Sequence, residues 1–188
     1  MTQTAVSVNK ATMRDIPKIL SLINSYAAKG MMLPRTEFEM SENIRDFSVA
    51  YDGDVLLGCG ALHFYTPTTA EVRSLAVLPE VTEHGIGRAV VESLAAEANE
   101  NELEAIFAFT YVPRFFERLG FHEVERGELP LKAWKDCLRC PKFQCCDEIA
   151  VLKRLRPQLW HAPVQYYNGV DFGELIQLPL PAKATTFR

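Results

Sequence analysis

The chain has 188 residues, 48% hydrophobic and 23% charged, with a net charge of −4 and a pI near 5.6. That is enough chain to bury a core without disulfides or metal, and the balance excludes long disorder. An acidic total leaves no footprint for a nucleic-acid backbone, no apolar run reaches the ~20 residues of a membrane span, and residues 1–9 hold no secretory h-region, so the expected compartment is the cytosol.

Residues 6–11 alternate weakly and read as a first strand. Thr12-Met13-Arg14-Asp15 is a capping pattern with Asp15 in place of Glu, and Ile16, Ile19, Leu20 and Ile23 follow at the spacing of one helical face. Gly30 ends that region, and residues 31–35 form a loop because Pro34 disfavours helix before it. Thr36-Glu37-Phe38-Glu39 is a capping box for a short second helix. Strands at 47–51 and 55–64 are joined by Asp52-Gly53-Asp54, a hairpin signal, and a turn at 66–69 leads to a third strand, 71–77, closed by Pro79. A loop over 80–84 opens into a helix reaching about Asn99, with Ile86, Val90 and Leu94 as its buried stripe. An apolar strand at 105–109, a helix from Pro113 to Leu119, Gly120 as its stop, a strand beginning at Phe121 and a last strand at 149–152 complete the series. Residues 1–156 read as one mixed α/β domain with an antiparallel start; residues 157–188 have no clear period and read as a tail packing on the body or on a neighbouring subunit.

The chemistry concentrates where the strand ending at Val77 gives way to a loop and His84-Gly85-Ile86-Gly87-Arg88 opens a helix. The first N–H groups of a helix have no acceptor within it, and the peptide dipoles add partial positive charge there. Glycine lets a phosphate approach the backbone, so the pattern is a diphosphate cradle. It is not a Walker loop, lacking Gly-Lys-Ser/Thr, nor a dinucleotide fingerprint, lacking the third glycine and a parallel lead-in. On its own the pattern also describes a tight loop under a closely packed helix.

One short strand and one loop later comes Phe115-Phe116-Glu117-Arg118-Leu119-Gly120-Phe121. With the strand at 72–77 and the loop at 82–88, it resembles the GNAT family of acyl-CoA-dependent N-acetyltransferases, over about residues 6–155. Within that family, Met32-Leu33-Pro34-Arg35, Leu57-Gly58-Cys59-Gly60-Ala61-Leu62 and Glu71-Val72-Arg73-Ser74-Leu75-Ala76-Val77 are similar to the acetyltransferase domain of N-acetylglutamate synthases. Glu83-His84-Gly85-Ile86-Gly87 is close to the cradle of the short synthases, which lack the kinase-like arginine-sensing domain, so the resemblance implies the stand-alone type.

The resemblance implies an α/β GNAT fold, with a central mixed, mostly antiparallel sheet flanked by helices. It also implies acetyl-CoA as co-substrate and L-glutamate as acceptor, in the first step of arginine synthesis. Leu75, Ala76, Val77, Thr82, Glu83, His84, Gly85, Ile86, Gly87, Arg88 and Phe116 are the implied coenzyme contacts, with backbone N–H groups near Ala76 and Val77 facing the thioester oxygen. Glu71 matches a proposed general base acting directly or through a water; an exposed carboxylate in a surface ion pair is the plainer alternative. Arg35 and Arg73 are placed with the acceptor's carboxylates, with Lys142 or Arg139 as a further cation by location.

Two positions depart from the family. Thr82 stands where Gln or Arg usually opens the cradle, a change that backbone binding tolerates. Phe116 replaces the Tyr that in many members protonates the leaving thiolate, a Tyr that the glutamate synthases also lack; the role passes to Thr110, at the position of a hydroxyl implicated there, or to Tyr111, the better acid. Two other functions stay open: transfer to another small amine or a protein N-terminus, and acyl-CoA sensing without catalysis.

Five cysteines, four of them (Cys137, Cys140, Cys145 and Cys146) within ten residues, make a poor disulfide framework. They read as thiols on a loop or as ligands to a structural zinc, with Cys137, Cys140 and Cys146 as candidates and His122 or Cys59 completing the set if the fold brings one near. A last strand left at the sheet edge, with an aromatic tail, would suit a homodimer.

Overall fold

The structure, a computed structural model, describes residues 6–130, 142, 145–161, 166–167 and 170–171. Its elements run β1 (Ser7–Lys10), α1 (Ile16–Ala27), α2 (Glu37–Asn43), β2 (Phe47–Asp52), β3 (Val55–Thr66), β4 (Thr69–Val77), α3 (Ile86–Glu100), β5 (Ala105–Thr110), α4 (Pro113–Glu117), β6 (His122–Glu123), β7 (Ile149–Arg154), β8 (Tyr166–Tyr167) and β9 (Val170–Asp171). A seven-stranded sheet has the order β1-β2-β3-β4-β5-β7-β6. Every neighbouring pair in it is antiparallel except β4 and β5.

One sequence expectation needs correcting. The last strand is not at the sheet edge: β7 pairs with β5 from Ala105↔Arg154 to Thr110↔Ile149 and has β6 on its other side. β6 pairs with Leu152 and Val151, and the Val124 N–H donates to Ala150 O at 3.0 Å, so this flank is covered, which removes that ground for a dimer. Within residues 157–188, β8 and β9 form a separate antiparallel pair.

Helix α1 begins where the sequence places it. The Thr12 N–H and hydroxyl both donate to Asp15 Oδ2, at 2.7 and 2.8 Å, and the Tyr51 hydroxyl donates to Oδ1 at 2.7 Å. Burial alone would raise the Asp15 pKa, but the Thr12 N–H, Tyr51, the Thr12 hydroxyl and the charge of Lys18 outweigh it, and the carboxyl titrates below its ordinary range. A depressed pKa gives stability that is complete above the unfolded value and lost as pH falls through the folded one. Asp15→Ala is therefore expected to cost about 1–2 kcal/mol near neutral pH. In urea unfolding, its deficit against the parent should shrink once the pH drops below about 4.

The sheet's two faces are covered differently. Ile16, Ile19 and Ile23 of α1 pack with Met40 of α2 on Phe47, Val49, Cys59, Ala61 and Ala76. Each fully buried aliphatic side chain is worth about 1.5–3 kcal/mol. On the opposite face, Ile86, Val90 and Leu94 of α3 press onto Leu62, Val72 and Ile106. The glycines that interrupt β3 lie under this helix: a Cβ on Gly60 would stand 2.9 Å from Val90 Cγ1, and one on Gly58 3.0 Å from Ile86 Cγ2.

Candidate active site

The site begins with a fault in the β3–β4 ladder. Cys59 pairs with Ala76 but Ala61 pairs with Arg73, so β4 carries one extra residue opposite Gly60. The extra residue sits at Ser74, whose φ of 53° is left-handed, an uncommon conformation for a side-chain-bearing residue. A bulge of this kind re-aims the side chains beyond it. Before it, Ala70 and Val72 face α3; after it, Leu75 and Val77 do, while Ala76 turns to α1.

Beside the bulge the sheet opens. The parallel pairing of β4 with β5 covers Thr69↔Ala105, Ala70↔Ile106 and Glu71↔Phe107, and the strands then part. β5 continues against β7 and β4 against β3. The Leu78 N–H donates to Leu57 O on the β3 side at 2.8 Å. By strand alternation the N–H of Val77 points the other way, into the opening, and that of Ala76 points to β3.

The cradle adjoins this opening. A 3-10 turn at Pro79–Val81 follows β4, and His84 N–H closes back on Val81 O at 3.1 Å. Gly85 caps α3 at φ 77°, and a Cβ there would meet nothing within 4 Å. The first i to i−4 bond of α3 runs from Ala89 N–H to Gly85 O, so the amides of Ile86, Gly87 and Arg88 precede any intrahelical acceptor. An open glycine ahead of three uncommitted helical amides suits a diphosphate. The Thr82 hydroxyl donates locally to Pro79 O, and Arg88 pairs with Glu92 one turn on. The ring that reaches the cradle is Phe115, 3.3 Å from a Cβ on Gly87. Phe116, expected among the coenzyme contacts, lies instead in the core, edge-on to Phe115 and Phe121.

Glu71, where the strands part, is only 8% exposed. Burial removes the reading of it as a surface carboxylate. The Tyr65 hydroxyl donates to Glu71 Oε2 at 3.0 Å. Two residues along, on the same face of β4, Arg73 lines a cleft together with Arg35, Glu39, Met40, Asn43 and Phe47. The loop carrying Arg35 is held by Asn24, whose Oδ1 accepts from Arg35 N–H and whose Nδ2 donates to Arg35 O, both at 3.0 Å.

Lys142 does not join that cleft. Its Nζ donates to the Tyr111 hydroxyl at 3.2 Å and lies 3.5 Å from Asp147, beyond the end of β5. Arg139 lies outside the described residues. Tyr111 is 39% exposed. Burial, together with the charges of Glu148 and Asp147, lifts its pKa against the opposing bond from Lys142. Thr110 is buried, and its Oγ1 accepts from Val112 N–H at 3.0 Å, which leaves the hydroxyl hydrogen available. Alternation along β5 puts Thr110 on the face of Ile106 and Ala108, toward α3, whereas Glu71 is on the opposite face with Phe107.

The zinc expectation finds no support. Cys59 is fully buried under α1, away from β6 and the cysteines near Arg126, and desolvation pushes its thiol pKa up to about 12. Cys146 Sγ accepts from Arg126 at 3.3 Å, and His122 is an exposed residue of β6. Among the described residues no group of three or more His, Cys, Asp or Glu could hold a metal ion; Cys137 and Cys140 lie outside them. Among those same residues no helix is long and apolar enough to cross a membrane.

Sequence reasoning missed Ser74, Tyr65, Asn24 and Phe115. Only Phe115 carried a signal, as the neighbour of the residue chosen.

The profile of the acetyltransferase (GNAT) family matches residues 17–121. An uncharacterized N-acetyltransferase of Chlorobaculum tepidum is 44% identical over 149 residues, covering 79% of this chain and 96% of that protein. An amino-acid acetyltransferase of Mycobacterium tuberculosis is 37% identical over 135 residues, 70% of this chain and 77% of that protein. Among solved structures, N-acetylglutamate synthase from Neisseria gonorrhoeae, complexed with coenzyme A and N-acetyl-glutamate, superposes with a TM-score of 0.74 at 26% identity, over 82% of this chain and 36% of that one. A Mycobacterium tuberculosis protein in complex with CoA gives 0.69 at 30% identity, over 79% and 99%. With the parted strands and the amide-lined helix entrance already in place, these likenesses establish that the chain belongs to the GNAT family and is an acetyl-CoA-dependent N-acetyltransferase.

Proposed function

We propose that the protein acetylates the α-amino group of L-glutamate, the step that opens arginine synthesis. The observation that carries this reading is the cleft holding both Arg35 and Arg73 on the face where Glu71 is buried. An acceptor with two carboxylates needs two cations beside the base, and guanidinium grips a carboxylate through paired N–H bonds. The Mycobacterium relative named for amino-acid acetylation and the Neisseria synthase with N-acetyl-glutamate bound support the same acceptor class.

Each group then has a task. The amides of Ile86, Gly87 and Arg88 hold the diphosphate, with Phe115 closing the side of the cradle. Glu71 takes a proton from the acceptor's ammonium, directly or through a water, since the amine attacks only once neutral. As its nitrogen bonds to the thioester carbon, the Val77 N–H faces the oxygen that gains charge. The C–S bond breaks and the thiolate takes a proton through the Thr110 hydroxyl, which passes on its own hydrogen and recovers the second one that the nitrogen sheds as the amide forms. That choice over Tyr111 rests on position: Thr110 lies on the α3 side, where the cradle is, and its hydrogen is uncommitted, whereas Tyr111 accepts from Lys142 and gives its own hydrogen to Asp147.

Arg35→Ala is expected to raise the acceptor KM roughly 10–100-fold with a smaller change in kcat, and Arg35→Lys to restore only part of it. The deciding experiment is an acceptor screen across the amino acids with acetyl-CoA, tracking release of the free thiol. Preference for glutamate is the expected result; equal turnover of neutral or basic acceptors would remove the acidic-acceptor assignment.

A further inference from the structure

Behind Glu71 lies an arrangement that the reaction scheme leaves unused. His63 of β3 sits directly opposite Glu71 in the antiparallel register, and Tyr65 comes two residues on, on the same face. The Tyr65 ring stands edge-on to His63, with centroids 5.0 Å apart at 85°, and tilted on Phe107 at 5.8 Å. Phe107 is itself the β5 partner of Glu71. His63 Nδ1 is 2.6 Å from Asp46 Oδ2, and since a carboxylate only accepts, Nδ1 is the donor. The same oxygen lies 3.9 Å from an Arg73 Nη.

We propose that Tyr65 and His63 are positioning residues for Glu71, and that Asp46 ties them to Arg73. The proposal rests on the reading of Glu71 as the base. Asp46 stops the imidazole from turning, the imidazole and Phe107 hold the phenol between them, and the phenol holds Glu71 Oε2 by a hydrogen bond. A carboxylate held in this way presents a constant face to the acceptor. Because the bond is made to the ionised form, it also keeps Glu71 ready to take a proton in a place where burial favours the neutral acid. Among the described residues, the charged and titratable groups on this face include Asp46, His63, Tyr65, Glu71 and Arg73, with Arg35 and Glu39 beside Arg73 in the cleft. One carboxylate, Asp46, thus sets both the ring behind the base and the guanidinium in the acceptor cleft.

Tyr65→Phe keeps the ring and removes the bond. We expect kcat to fall roughly tenfold, the acceptor KM to stay within about twofold, and the acidic limb of the kcat/KM–pH profile to move up by about one unit. The direction is upward because losing a donor to the carboxylate raises its proton affinity. Limb position does not depend on the fraction of enzyme folded, so it reads the base even if the variant is less stable. Asp46→Asn should change kcat and acceptor KM together, since it loosens both ends.

The controls separate this proposal from the one beneath it. If Glu71→Gln abolishes activity while Tyr65→Phe moves neither kcat nor the limb, the positioning role is overturned and the base stands. If Glu71→Gln retains its rate, the base reading falls first. In the Glu71→Gln background, Tyr65→Phe should cost nothing more; a full further loss would show that Tyr65 acts elsewhere and would overturn the proposal.

Discussion

Glu71→Gln should lower kcat by roughly 10²–10⁴-fold while leaving the KM for acetyl-CoA nearly unchanged. The substitution keeps size and shape, and the amide oxygen can still accept from the Tyr65 hydroxyl, so the 8% exposed site loses proton affinity and little else. The proposed coenzyme groove uses other elements, the α3 entrance and the end of β4, and should not register the change. The rate of the variant should climb with pH through the range where the acceptor's own amine loses its proton, because solvent then performs the step that the carboxylate no longer can. Steady-state kinetics against pH checks both expectations. A variant with the parent's rate near neutrality would show that the amine loses its proton without Glu71.

Gly85 carries the second large effect. Its outward side is open, so a side chain there meets no protein atom, and Asn and Asp are among the residues that tolerate a left-handed backbone. Gly85→Asn should therefore bind acetyl-CoA with modest loss. Gly85→Asp is nearly isosteric with it, yet it sets a full negative charge at the proposed place of the diphosphate. Like charges about 5 Å apart at an effective dielectric near 20 repel by about 3 kcal/mol, or roughly a hundredfold in affinity. Titration of coenzyme A into both variants measures the gap, which should narrow as salt is added. Equal affinities would place the diphosphate away from the α3 entrance.

Much of the fold is legible in the sequence. Local signals carry well: the Thr36–Glu39 capping box, the Asp15 cap, and the glycine before α3 depend on neighbours a few residues away, and the structure contains each. The open part of the site is harder to see. The bulge at Ser74 comes from the register between two strands, which side-chain pattern alone does not encode. Tyr65 looks like one more strand aromatic, since nothing in its spacing announces a partner six residues away across the hairpin. Phe116 reads as a groove residue and Phe115 as its neighbour, because a helix as short as α4 has too few residues to show which face is inward. For Lys142 the only guide is sequence distance, and its charge goes to Tyr111 and Asp147 instead.

The two bare positions of β3 beneath α3 have a further effect. The Ile86 and Val90 side chains of α3 rest there on bare strand backbone, so the height of Ile86, the first residue of α3, is set by the floor it rests on. A methyl group added at Gly58 or Gly60 would lift that floor and carry with it the amides proposed to hold the diphosphate. The enzyme's grip on its acetyl donor can therefore be retuned from the far side of the helix, by substitutions that never touch the donor.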